Sequence, residues 1–214
     1  MTAFNLRSVQ LKTKINAHLT KITGQPNDYY EKLSSSDIVE LKNVLSDIHN
    51  LLTFKMTISA ANWLSNFFKL DQIESKQLLA EIDNTSPNAK GFDIFTLKPH
   101  KIVAEVKCIS PMNLGAKFGA AQRSSIIKDF NNLKNGKFPQ LDTTDFYKFL
   151  FLIDLGDRSF DAMKALMKES KIRISTPERE QRNEIRKHII LLDEGASLPQ
   201  LNLDKIYIQI LKMD

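Results

Sequence analysis

Three charged residues lie within two apolar segments of the chain and could together bind a metal ion. Asp93 belongs to residues 91–97, whereas Glu105 and Lys107 belong to residues 101–109. An apolar interior excludes charges unless they are paired or bind metal, and adjacent carboxylates repel each other unless a cation or proton lies between them. A divalent ion with a neighbouring lysine can activate water and stabilise the charge of phosphoryl transfer. These residue types therefore suit metal-assisted hydrolysis of a phosphodiester.

The two segments are predicted to form a β-hairpin that brings the three charges together. Closing the hairpin over a three-residue turn puts Phe95 opposite Val103 and Asp93 opposite Glu105, on one face of the sheet. Side chains alternate along a strand, so Glu105 and Lys107 share that face, about 7 Å apart. A slip by one residue would separate the charges. The cluster is therefore a prediction that depends on the register.

A solvated edge strand is the alternative explanation for this pattern, because acidic and basic residues alternate along many exposed strands. Ile102, Val103, Ala104 and Val106 are all apolar. This composition favours a strand inside the sheet, where the charges would need a function or a partner.

The composition is that of an ordinary globular protein with a weak preference for polyanions. The chain has 214 residues, 42% of them hydrophobic and 26% charged, with a formal net charge of +5. A basic balance favours nucleic acid partners only slightly. One cysteine and four scattered histidines exclude an internal disulfide framework and a Cys/His zinc site. A reducing compartment, and hence a cytoplasmic location, is expected.

Several other functional classes are not expected. The longest apolar run is too short to span a bilayer, and the first residues lack the apolar region of a signal peptide. Neither G-x-G-x-x-G nor G-x-x-x-x-G-K-[ST] occurs, so no nucleotide cofactor is expected.

Hydrophobic periodicity predicts an α/β fold with a mixed central β-sheet flanked by helices, behind an N-terminal helical module. The module is assigned to residues 1–69 and the core to residues 70–214. Trp63, Phe67 and Phe68 are predicted to form the core of the module, with a dimer interface as the alternative. Around the hairpin, the pattern predicts helices over 36–52, 58–68, 71–82, 115–133, 159–170 and from Pro177, strands over 146–155 and 204–213, and a possible short strand over 171–175.

The spacing from Asp93 to Glu105-Val106-Lys107 resembles the PD-(D/E)XK nuclease superfamily, which includes most type II restriction endonucleases. The resemblance covers about residues 72–155. It implies an αβββαβ core in which Asp93 and Glu105 hold Mg²⁺ and Lys107 acts on the attacking water. The carbonyl of Val106 would add a ligand, and Glu81, on the preceding helix, is the candidate for a further one.

The chain departs from this family in three ways. Phe92 replaces the proline of the motif, which is a common variation. The sequence shows no clear first strand between Glu81 and Phe92, so the usual three-stranded meander is not visible. No tyrosine follows Gln122 four residues later, so the exonuclease pattern is absent.

The helix after the motif carries the candidate DNA contacts Lys117, Gln122, Arg123 and Lys128, although a solvated basic face explains them equally well. The resemblance implies a Mg²⁺-dependent, sequence-specific endonuclease of double-stranded DNA. The alternatives are a structure-specific or repair nuclease of the same fold and a non-catalytic DNA-binding module. Because one cluster cuts one strand, a homodimer is expected.

Overall fold

The fold was analysed in a computed structural model. The structure describes residues 3–83, 91–111, 117–137, 141–154, 158–168, 177–192 and 201–212, and for a few residues near the starts of the first and seventh helices it describes the backbone only. Within these ranges, four helices come first, and five strands and three further helices follow them.

The bounds of these elements confirm most of the predicted ones. The helices are α1 (Ala3–Thr23), α2 (Tyr29–Lys32), α3 (Ser35–Phe67), α4 (Gln72–Asp83), α5 (Ala120–Asn135), α6 (Ser159–Met167) and α7 (Pro177–Arg186). The strands are β1 (Ile94–Thr96), β2 (Ile102–Lys107), β3 (Tyr147–Asp154), β4 (Ile189–Leu191) and β5 (Ile206–Lys212).

A mixed five-stranded sheet forms the centre of the fold, in the order β1-β2-β3-β5-β4. Strand β1 pairs antiparallel with β2, whereas β2, β3, β5 and β4 run parallel to one another. Parallel neighbours need a crossover connection, and α5 supplies it between β2 and β3. The fold is therefore α/β with a mixed sheet flanked by helices, as predicted.

The chain divides into two compact units, residues 1–49 and 50–214. In the first unit, α2 contacts α1 through polar side chains, with Lys12 Nζ 2.6 Å from Glu31 Oε1 and Asn16 Nδ2 2.8 Å from Asp28 Oδ1. The second unit contains the whole sheet and the second half of α3. The boundary predicted at residues 69–70 lies within this second unit.

Helix α3 is continuous where the sequence pattern predicted two helices. It begins after Ser34, whose hydroxyl accepts from the Asp37 amide at 3.2 Å while Asp37 Oδ2 accepts from the Ser34 amide at 2.7 Å. These two reciprocal hydrogen bonds satisfy backbone and side-chain groups at the start of the helix. No glycine or proline lies between Leu52 and Ile58. The helix therefore has no helix-breaking residue at the point where its apolar residues move from one face to another.

Apolar side chains cover both faces of the sheet. Met56 and Leu64 of α3 pack with Leu78 and Ile82 of α4 on the face that carries Phe149. Helices α5, α6 and α7 cover the other face, and their buried residues include Ile126, Phe130, Leu133, Met163 and Ile185, packed against Val103 and Leu150. Both faces of the central strands are thus removed from water, as their nearly unbroken apolar runs predict.

The aromatic residues at the end of α3 and directly after it pack against the sheet and do not form a separate core for a helical module. The Trp63 ring lies 5.6 Å from that of Phe151, and the Phe67 ring lies 6.0 Å from that of Phe149. Phe68 lies 6.0 Å from Phe149 as well. These three residues therefore belong to the core on one face of the sheet, and a dimer interface at them stays a prediction.

Two further elements differ from the predictions. Helix α5 begins at Ala120, five residues later than predicted, with the Gly119 amide donating to Gln122 Oε1 at 2.9 Å. Strand β4 was not predicted, because it has only three residues and follows α7 after a two-residue turn. The possible strand over 171–175 lies outside the described residues. Among the described helices, none is long and apolar enough to cross a membrane.

Candidate metal centre

The hairpin register is the one predicted from the sequence. Phe95 pairs with Val103, and Ile94 pairs with Ala104. Continuing this register by one residue places Asp93, just before β1, opposite Glu105. Strand β2 lies between β1 and β3, so it is not an edge strand.

Asp93 is tied to β2 by a hydrogen bond to the backbone. The Val106 amide donates to Asp93 Oδ2 at 2.7 Å. This bond fixes one carboxylate oxygen against the strand that carries Glu105. The negative charge of Asp93 is close enough to raise the pKa of Glu105.

Glu105 is buried and paired with a lysine that lies outside the motif. Its exposed fraction is 5%, and Lys137 Nζ lies 2.6 Å from its Oε1. At this distance the ammonium and the carboxylate form a close ion pair. Burial raises the pKa of Glu105 to about 8, Lys137 opposes this shift, and the charges of Asp93 and Asp129 add to it.

Lys107 pairs with a second residue outside the motif, Asp129 of α5. The Lys107 Nζ lies 2.8 Å from Asp129 Oδ2, and the two side chains are 24% and 8% exposed. Burial raises the pKa of Asp129, and the Lys107 ammonium lowers it in part. The lysine side chain is therefore held toward α5, and its partner is almost completely buried.

Helix α5 positions both of these additional residues. Asp129 lies on its buried face beside Ile126 and Phe130. Lys137 follows Gly136, which ends the helix with a φ of 82° that favours glycine. We refer to Asp93, Glu105, Lys107, Asp129 and Lys137 as the charged cluster.

The donor groups of the charged cluster fit Mg²⁺, the ion that the family resemblance implies. Mg²⁺ binds through one or two carboxylates plus waters and substrate phosphates, and Asp93 and Glu105 supply this number. Glu105 Oε1 is buried and faces the Lys137 ammonium at 2.6 Å, so this oxygen already has a cation beside it. No group of three or more His, Cys, Asp or Glu side chains in the described part of the chain is arranged to hold an ion by itself.

Two other predicted ligands occupy different surroundings. Glu81 is exposed on α4, the helix that packs through Leu78 and Ile82 on the face opposite Glu105. Val106 is 4% exposed, with its amide bonded to Asp93. A metal contact by the Glu81 carboxylate or by the Val106 carbonyl stays a prediction.

The four candidate DNA contacts divide into two pairs. Lys117 and Lys128 are exposed. Gln122 donates from Nε2 to the Ser110 carbonyl at 2.7 Å, and Arg123 donates to the Phe118 carbonyl at 2.7 Å. The first pair is therefore available to solvent, whereas the second ties the segment before α5 to the helix.

Comparisons with known proteins do not assign this site to a family. Neither the protein-family models, nor the curated proteins, nor the solved structures give a match to this chain.

Proposed function

We propose that this protein is a Mg²⁺-dependent endonuclease of double-stranded DNA, of the PD-(D/E)XK class and restriction type. One observation carries the proposal. The register of β1 and β2 brings Asp93 to Glu105 on a central strand, and Glu105 is nearly buried. A solvated edge strand, which was the alternative explanation, would leave that carboxylate in water.

Each motif residue has a distinct role in the proposed reaction. Asp93 and Glu105 would hold Mg²⁺, which would supply Lewis-acid activation of the phosphate and of the attacking water. Lys107 orients this water and stabilises the charge that develops on the phosphate. Lys117 and Lys128 neutralise DNA phosphates, which requires only exposed cations.

Discrete DNA fragments are the expected product of this enzyme. The purified protein should be incubated with mixed-sequence linear DNA and with a circular plasmid, in Mg²⁺ and in EDTA, with Glu105→Gln as the inactive control. We expect discrete bands only for the wild type in Mg²⁺. Nicked circles from a plasmid, without discrete linear fragments, would instead indicate a structure-specific or repair nuclease. DNA that stays intact in every lane would reject catalysis.

A non-catalytic DNA-binding module is the second candidate function. The observation that favours it is the internal pairing of the charged cluster, in which Lys107 contacts Asp129 and Glu105 contacts Lys137. Ion pairs of this kind can also serve only to balance buried charge. The cleavage assay separates the two candidates, because this module would bind DNA and leave it uncut.

We expect the enzyme to act as a homodimer, because two copies of the site are needed to cut both strands together. The first half of α3 exposes apolar residues on one face, among them Ile38, Leu45 and Ile48, which are 40%, 52% and 46% exposed. Contact with a second copy would remove this apolar area from water.

Sedimentation at micromolar concentration should give twice the chain mass of 24.5 kDa. Leu45→Glu should shift the protein to the monomer, because a charge in an apolar interface is costly. Asn43→Glu is the matched control, since it adds the same charge to the opposite side of α3 and should leave the dimer intact. A wild-type monomer, or equal behaviour of the two variants, would reject this interface.

A further inference from the structure

Lys137, which no sequence motif contains, is held by several groups at the candidate metal centre. Its Nζ lies 2.6 Å from Glu105 Oε1 and donates a short hydrogen bond to the Gly91 carbonyl. The same atom lies 5.1 Å from the centre of the Phe92 ring, at a distance where a cation interacts favourably with the ring. The ammonium is thus surrounded by groups that attract positive charge.

The two oxygens that contact Lys137 are also suitable metal ligands. Carboxylate and backbone carbonyl oxygens are the hard donors that divalent cations bind. Glu105 already belongs to the proposed ligands, and Gly91 lies two residues before Asp93. A divalent ion at these oxygens would need the lone pairs that the ammonium now occupies.

We propose that the Gly91 carbonyl and the Glu105 carboxylate form a cation site that Lys137 fills in the metal-free protein, and that a divalent ion binds only when the Lys137 ammonium leaves. The proposal rests on the proposed function for the identity of the competing ion. It adds Gly91 as a ligand and Lys137 as an internal competitor.

The charges of the cluster favour this exchange. With a divalent ion bound and Lys137 displaced, the carboxylates of Asp93, Glu105 and Asp129 balance Lys107 and the ion. If Lys137 stayed, the cluster would carry an unbalanced positive charge at close range. The side chain is 22% exposed, and its flexible stem allows the ammonium to move into water.

Metal titration of the DNA-free protein tests the competition directly. A ligand whose site is available only a fraction of the time binds more weakly by that fraction. If Lys137 fills the site about nine-tenths of the time, Lys137→Met should bind Mn²⁺ and Mg²⁺ about tenfold more tightly in calorimetry. Lys107→Met is the matched control, since it removes the same charge from the cluster without vacating the site, and should tighten binding clearly less.

Two further measurements distinguish displacement from a general charge effect. Mg²⁺ should increase the labelling of Lys137 in the wild type by an amine-reactive reagent, while labelling of Lys134 stays constant. In EDTA, Lys137→Met should melt at a lower temperature than the wild type, because Glu105 loses its partner. Mg²⁺ should raise its melting temperature more than that of the wild type.

The outcomes separate this proposal from the proposed function. If the wild type cleaves DNA but Lys137→Met binds metal no more tightly than the Lys107→Met control, the competition is refuted and the nuclease stands. Tighter binding by Lys137→Met with no cleavage by any variant supports the cation site and rejects the nuclease. Labelling of Lys137 that does not change with Mg²⁺ refutes displacement.

Discussion

Lys107→Met is expected to lower the rate of DNA cleavage by about 10²–10⁴-fold, the range for loss of a group that transfers a proton or stabilises transition-state charge. DNA affinity should change little, because one partly buried lysine contributes little to phosphate contacts. Methionine preserves the length of the side chain, so a lower cleavage rate can be attributed to the missing ammonium group. Single-turnover cleavage and a filter-binding titration measure the two quantities.

Lys76→Met is the matched control for this prediction, since it removes an exposed lysine from α4 and should cleave at the wild-type rate. Lys107→Met also leaves the buried Asp129 without its partner, so the variant must first be shown to melt as a folded protein. Cleavage by the folded variant at the rate of the wild type would remove Lys107 from the mechanism.

The metal-free protein is expected to become less stable as the pH rises from about 5 to about 8. An unfolded glutamate releases its proton near 4.5, whereas folding raises the pKa of Glu105 to about 8 because the side chain is buried. Between these values the folded state binds a proton that the unfolded state has lost, so the free energy of unfolding falls as the pH rises. The difference between the pKa of Glu105 in the folded and unfolded states corresponds to a change of up to about 5 kcal/mol in the free energy of unfolding. Above pH 8 the free energy of unfolding should change little with pH.

Urea unfolding in EDTA, followed by fluorescence of the single tryptophan, Trp63, measures this dependence in the unit that contains the sheet. In Glu105→Gln, most of this pH dependence of stability should disappear. Asp129, whose pKa burial also raises, accounts for the dependence that is left. Glu40→Gln, at an exposed position of α3, should keep the wild-type slope. A wild type whose stability is flat over this range contradicts the assignment of Glu105 as a buried acid.

The hairpin was predictable because short-range rules determine it. Alternation of side chains and a short turn leave one register that joins Asp93 to Glu105, and Phe95 pairs with Val103 as predicted. The length of α3 was not predicted, because the apolar pattern changes phase near Leu52 although no residue there ends a helix. Trp63 packs against the sheet through contacts between segments that are distant in the sequence. Hydrophobic periodicity does not predict such contacts.

The charged cluster was only partly predictable for the same reason. Asp93, Glu105 and Lys107 follow from spacing along two strands, whereas Asp129 and Lys137 reach them only once α5 packs on the sheet. One signal was present in the sequence. Asp129 lies three residues after Ile126 and next to Phe130, so a carboxylate interrupts the apolar face of α5. A charge at such a position indicates a buried partner.

The hydrogen bond from the Val106 amide to Asp93 Oδ2 gives the protein an internal reporter of the candidate metal centre. Within a ladder, an amide bonded to a carbonyl exchanges with solvent only when the strands separate. The Val106 amide instead depends on the rotamer of one side chain. Its hydrogen-exchange rate and NMR chemical shift should therefore follow the orientation of the Asp93 carboxylate, even while the sheet around it stays closed.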